Sequence, residues 1–286
     1  MKLRTPLLAA AAFLALATPA AVQAHRMWML PSATIVSGDD VWVTIDAAVS
    51  NDLFYFEHQP LRGDPKVLAP DGSTLEVENK ATGRYRTTFD VHLTQKGTYK
   101  VAIVSEGVMG SYMLGGERKP IPRGTTTATL ASVIPAGATE VRTSESANRN
   151  EVFITSGEPT NTVFKPTGKG IELIPVTHPN DLVAGETATF QFTLDGKPMP
   201  EQAVTVIPGG IRYRDKLNQM DLKTDAAGKV QIKWPEPGMY WLNVTTGGGR
   251  GPGMGPGAEG QGASAAPAGP APRRANYVTT LEVLAP

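Results

Sequence analysis

Two stretches of this chain repeat each other, and that repeat limits the fold more than any other feature. Val36-Ser-Gly38-Asp-Asp-Val41-Trp-Val43-Thr-Ile45 follows the same pattern as Val183-Ala-Gly185-Glu-Thr-Ala188-Thr-Phe190-Gln-Phe192. Each reads as a hydrophobe, a Gly turn beside an acid, and then an alternating strand. Further on, Leu93-Thr-Gln-Lys-Gly97-Thr-Tyr99-Lys-Val101 matches Trp234-Pro-Glu-Pro-Gly238-Met-Tyr240-Trp-Leu242. The spacing from Gly38 to Gly97 is close to that from Gly185 to Gly238, so the two halves carry the same elements in the same order.

Short runs of β-branched and aromatic residues, divided by Gly, Pro and Asp turns, fill the chain after residue 24, and no long segment has helical periodicity. The expected class is all-β. The Gly-x-Tyr-x-hydrophobe elements are the strands on which an immunoglobulin-like sandwich carries its tyrosine corner. Two tandem immunoglobulin-like β-sandwiches are expected, at residues 25–165 and 166–286. Ala69 to Ser73 and Thr224 to Gly228 are strand-joining turns. Phe89, Val91 and Leu93 alternate with Asp90 and His92, which places one face of that strand in the core and the other in water. Residues 107–150, rich in Thr, Ser and Gly, leave long loops and an extra hairpin as alternatives. Residues 247–275, rich in Gly, Pro and Ala, are expected to form a disordered insertion within the last hairpin, closed by the alternating strand Tyr277, Thr279, Leu281 and Val283.

Residues 1–24 read as a signal peptide. Lys2 and Arg4 form the charged start, Leu7 to Ala17 is apolar, and Val22-Gln23-Ala24 suits a signal peptidase. The apolar run is too short to span a bilayer, and no later segment is as long or as uncharged. Cleavage after Ala24 exposes His25. With no cysteine in the chain, disulfides, thiolate metal sites and a cysteine-linked lipid are excluded. The balance of 27 Lys and Arg against 27 Asp and Glu gives no electrostatic case for nucleic acid.

An N-terminal histidine offers an α-amine and a ring nitrogen from one residue, both able to release their protons to a metal near neutral pH. The candidate metal ligands are therefore His25, His58 and His178, among four histidines in all. Glu57 stands beside His58 as a further ligand or as an acceptor that orients the ring. For His58 the alternative is packing among aromatics; for His178, before Pro179, it is a structural turn. His92 is expected to be an exposed surface residue. Met27 and Met29 alternate with His25 along an extended chain, and thioethers with imidazole suit copper; core packing is the competing explanation. No phosphate-binding loop, nucleophile elbow, zinc-protease motif or calcium loop occurs, and no catalytic constellation is found.

Ala24-His25-Arg-Met-Trp28-Met-Leu-Pro31-Ser, Gly170-Ile-Glu172-Leu-Ile-Pro175-Val-Thr-His178-Pro179-Asn, Asp195-Gly196-Lys-Pro198 and Thr224-Asp225-Ala-Ala-Gly228 together resemble the bacterial family called domain of unknown function 4198. The resemblance spans the chain after the signal. It implies an immunoglobulin-like periplasmic protein of Gram-negative bacteria, similar to periplasmic components associated with nickel and cobalt uptake, with a histidine directly after the cleavage site. The chain departs from that pattern in its Gly/Pro insertion. The leading expectation is a non-enzymatic periplasmic protein that binds nickel, cobalt or copper and works with an envelope metal transporter. An envelope interaction module for a protein or glycan is the alternative. A copper oxygenase with a histidine brace, resembling polysaccharide monooxygenases, ranks third.

Overall fold

The computed structural model describes residues 25–246 and 273–286; residues 1–24, where a signal peptide is expected, and nearly all of the Gly/Pro insertion lie outside them. The all-β expectation holds. The first half of the chain contributes β1 (Arg26–Pro31), β2 (Ile35–Val36), β3 (Val41–Ser50), β4 (Gln59–Pro60), β5 (Lys66–Leu68), β6 (Thr74–Leu75), β7 (Glu78–Thr82), β8 (Thr87–Leu93), β9 (Gly97–Leu114), β10 (Glu117–Pro120) and β11 (Thr139–Ser156). The second contributes β12 (Ile171–Pro175), β13 (Thr187–Leu194), β14 (Lys197–Pro198), β15 (Ala203–Pro208), β16 (Met220–Lys223), β17 (Lys229–Lys233), β18 (Gly238–Thr245) and β19 (Arg274–Val283).

These strands form three sheets. A front sheet runs β1-β3-β8-β7, with β4 also paired to β3. A back sheet runs β12-β13-β14, with β17 on β13. Between them a ten-stranded central sheet runs β16-β15-β18-β19-β11-β9-β5-β6, with β10 and β2 attached at its margins. The period of two along each strand explains the layering. Tyr240, Leu242 and Val244 of β18, with Tyr277, Leu281 and Val283 of β19, face the back sheet, where they pack with Phe190, Phe192, Ile232 and Trp234. Trp241 and Val278, on the opposite face, join Trp28, Ala48 and Leu53. Tyr99, Val101, Val152 and Ile154 close the other core against Val43, Ile45, Phe89 and Val91 of the front sheet.

Both tyrosine corners are present. Tyr99 Oη accepts the Gln95 backbone N–H at 2.7 Å and donates to the Gln95 carbonyl at 3.0 Å. Tyr240 does the same with Glu236, at 3.3 and 2.7 Å. Each phenol thereby satisfies the backbone of the turn entering its own strand.

Three features exceed the sequence reading. The central sheet is continuous through both halves because β11 and β19 pair in parallel, Ser146 opposite Arg274 through Glu151 opposite Thr279. Residues 107–150 are mostly a hairpin, in which the long strands β9 and β11 pair from Gly97/Ser156 outward to Met113/Thr139. A small cluster of Val108, Tyr112 and Ile121, with one helical turn at Leu130–Val133, caps its tip. Finally, the expected insertion boundary at residue 275 is too late. Arg274 and Ala275 already belong to β19, and Arg273 pairs with Asp195 at 2.5 Å.

Candidate functional site

Strand register brings two of the expected ligands together. Arg26 of β1 lies opposite Ser50 of β3, so His25 sits beside the end of that strand. On the other flank of β3, Val49 lies opposite Gln59 of β4, which delivers His58 to the same end. The imidazoles stack with centroids 3.8 Å apart and planes 21° from parallel. His25 is half-buried and His58 exposed.

The loop between β3 and β4 is fixed at its base. Glu57 Oε1 accepts the backbone N–H groups of Asn51 and Asp52 at 2.7 and 2.9 Å, so this carboxylate holds the loop rather than the ring of His58. The Arg26 guanidinium donates to the Asn51 carbonyl at 2.6 Å. Ser50 Oγ accepts the Trp28 indole N–H at 2.7 Å and donates to the Asp52 carbonyl at 2.6 Å. The aromatics of the loop are anchored one by one: Phe54 and Phe56 each pack on Trp28 with centroids 5.6 Å apart, the Arg86 guanidinium lies 4.2 Å over Phe56, and that of Arg212 lies 3.7 Å over Tyr55. His58 thus closes a loop with little freedom.

Burial lowers the pKa of the His25 ring, the neighbouring His58 lowers it further, and Glu57 opposes both. The ring is held toward its neutral, metal-binding form. Hydrogen bonds to imidazole nitrogens among the described residues belong to His92 and His178, leaving the nitrogens of the stacked pair unclaimed.

His178 is placed elsewhere. Its Nδ1 accepts the Asn180 N–H at 3.1 Å, and its Nε2 lies 3.0 Å from Thr98 Oγ1 and 3.3 Å from the Thr160 carbonyl, so both nitrogens are engaged. Asn180 in turn bonds the Phe153 carbonyl and Thr155 Oγ1, tying the entry to the second half onto β11. Burial lowers the His178 pKa, opposed by its bond to Thr160 and by Asp181. His92 lies on the wet face of β8, paired with Asp40 and stacked on Trp42 at 4.1 Å. Met29 is a fully buried core residue, and the sulfur of Met27 accepts from Asn276 Nδ2 at 3.8 Å; both methionines are accounted for by packing. Among the described residues no cluster of three or more His, Cys, Asp or Glu side chains is arranged to hold a metal. A metal-binding set built on the stacked pair therefore needs a donor from another kind of group.

The chain is an all-β sandwich protein with a histidine pair at one end of its front sheet. It belongs to the family described as domain of unknown function (DUF4198), which it matches over residues 22–248. No curated protein matches it. Among solved structures it is similar to the D0-D1 domain of intimin (13% identity, 89% of this chain and 97% of that one, TM-score 0.21). It is also similar to Escherichia coli alpha-2-macroglobulin activated by porcine elastase (13%, 91% and 20%, TM-score 0.21). A third similar structure is the two tandem V-type regions of a v-region-containing chitin-binding protein (11%, 90% and 99%, TM-score 0.22). Likeness at this level carries no functional assignment.

Proposed function

We propose that this chain is an exported, periplasmic protein that holds one transition-metal ion, nickel, cobalt or copper, and makes it available to an envelope transporter without catalysing a reaction. The ligands are the α-amine and ring of His25, freed by cleavage after Ala24, and the ring of His58. The supporting observation is the closeness of the two rings, which must turn out of their stack to share one ion because imidazole lone pairs lie in the ring plane. Residues 33 positions apart in sequence are delivered by β1 and β4 to one point, on a loop anchored by Glu57 and Trp28. The amine supplies the third nitrogen that side chains alone do not. Such an all-nitrogen set suits nickel and copper, and cobalt to a lesser degree, with copper tightest on raw affinity. His178, with both nitrogens engaged, is left out of the set. Among the described residues no helix is long and apolar enough to cross a membrane.

The test is metal titration of the exported protein after its N-terminus has been sequenced. His58→Ala should weaken binding by about tenfold or more, on the scale of losses seen for groups that support a metal site, whereas His178→Ala should leave it unchanged. Equal binding by wild type and His58→Ala would end this reading and leave the interaction module as the better one.

A further inference from the structure

A concave site lies beside the loop that carries His58, lined by Phe54 of that loop and by neither histidine of the pair. A cleft of about 570 Å³ opens between the start of β18, the end of β15 and that loop. Its volume lies within the range of small-molecule sites, and its walls have their usual chemistry, mostly apolar with a few convergent polar groups. Leu30, Phe54, Pro208, Pro235, Met239 and Tyr240 supply the apolar part.

The polar part centres on Arg214. Its Nε donates to the Lys216 carbonyl at 2.9 Å, and its Nη2 to the carbonyls of Pro208 and Leu217 at 2.5 and 3.0 Å. Nη1 donates to the Gly209 carbonyl. Four of the five guanidinium N–H groups are thereby spent on neutral carbonyls. Among the described residues Arg214 forms no ion pair, so its charge is held in place but not neutralised. The remaining N–H is on Nη1, which lies 3.7 Å from where a Cβ on Gly210 would stand, and Gly210 lines the cleft.

Two backbone features shape the floor. Phe54 has φ +63°, a left-handed conformation that is unfavourable for a bulky residue and characteristic of ligand-clamping segments. Gly209 makes room for it: a Cβ there would stand 3.0 Å from both the Phe54 ring and the Met239 carbonyl oxygen. Glu236 stands exposed among the lining residues, and its carboxylate opposes any anion in proportion to its charge, so the contact to Arg214 has to outweigh it.

We infer that this cleft binds a small molecule with an apolar or aromatic body and a single carboxylate, the carboxylate meeting the free N–H of Arg214 and the body lying against Phe54, Leu30 and Met239. The site is separate from the histidine pair and does not depend on metal binding. Calorimetric titration of the whole exported protein with phenylbutyrate, and with its neutral isostere phenylbutanol, tests it. The acid should bind about tenfold more tightly than the alcohol, the scale of one charge-assisted hydrogen bond, and Arg214→Met should erase the difference. Because Arg214 also braces four carbonyls, Met239→Trp serves as the second variant; it fills the cleft from the half-buried end of β18 and should abolish binding of both compounds while circular dichroism stays unchanged. Equal affinity for acid and alcohol in wild type would overturn the role of Arg214. Undiminished binding by folded Met239→Trp would overturn the placement, and no binding of either compound to folded wild type would overturn the site.

Discussion

The two halves of the molecule share one arrangement of strands, and one corner where they part carries His58. Strands β3 and β13 begin from matching Gly turns, at Gly38 and Gly185, both with positive φ. Strands β9 and β18 begin from matching tyrosine corners. Where the chain leaves the matched strand, the halves part. After β13 it reverses through Asp195 and Gly196, with φ 51° and 78°, and returns directly as β14. Successive positive φ values make that the tight turn preferred in hairpins. After β3 it runs out through Asn51 to His58, a loop whose two phenylalanines pack on Trp28, before it returns as β4. A repeated scaffold supplies rigidity, and the unrepeated loop carries half of the proposed site. One histidine of the pair, His58, and one wall of the cleft belong to that loop.

The sharpest way to break this comparison is Trp28→Ala. Trp28 is fully buried, belongs to the cluster joining the front and central sheets, and supports both Phe54 and Phe56. Truncating a buried indole costs about 3–5 kcal/mol, and urea unfolding should show a loss of that size, together with weakened metal binding because His58 loses its support. A loss below about 1 kcal/mol would mean that the loop is not anchored as described. Smaller in effect, Tyr99→Phe and Tyr240→Phe each remove the hydroxyl that ties a buried ring to the backbone of a largely exposed turn and should each cost about 1 kcal/mol. Similar losses would confirm that the corners are equivalent; a silent corner in either half would separate them.

The smallest effect concerns the histidines. The folded pKa of His178 is depressed by burial, and its Nδ1 acts as an acceptor, so protonation is resisted in the folded state. The contribution of this group is fully present above its ordinary value near 6.5 and declines as the pH falls below that value, because the unfolded chain takes up the proton first. Comparing the pH dependence of stability in wild type and His178→Gln should show a shallower acid-side slope in the variant. Identical slopes would show that the ring titrates freely.

Much of the scaffold was legible in the sequence because its signals are local. The alternation of Phe89, Val91 and Leu93 with Asp90 and His92, the turns at Pro70-Asp71-Gly72 and Asp225 to Gly228, and the Gly-x-Tyr corners each declare themselves within a few residues. Long-range pairing is different. The parallel seam of β11 and β19 joins Ser146 to Arg274, and no periodicity within either strand specifies that partner. The candidate site was legible only in part, for the same reason. His25 and His58 stood out as residue types, but their meeting depends on the registers of β1 and β4 along β3. By residue type His178 is equally eligible, but its ring is bonded to Thr98, Thr160 and Asn180, residues that no local pattern names. Glu57 is the sequence neighbour of His58, yet its partners are the N–H groups of Asn51 and Asp52 across a turn of the loop. The buried Arg149, paired with Glu151 at 2.9 Å and close to Glu172, gave no sequence signal, since β11 reads as polar there without revealing that this stretch is enclosed.

The central claim is that the loop unique to the first half forms a metal site with the freed amine of His25. The most direct test compares two exported proteins, one beginning at His25 and one carrying a single additional glycine before it, in titrations with nickel, cobalt and copper. The added peptide bond converts the amine of His25 into an amide and moves the free amine away from the ring, while the sandwiches are untouched. The account predicts that the protein beginning at His25 binds at least about tenfold more tightly, a difference of about 1.4 kcal/mol, with unchanged unfolding free energy in the absence of metal. Equal affinities for all three ions would contradict it.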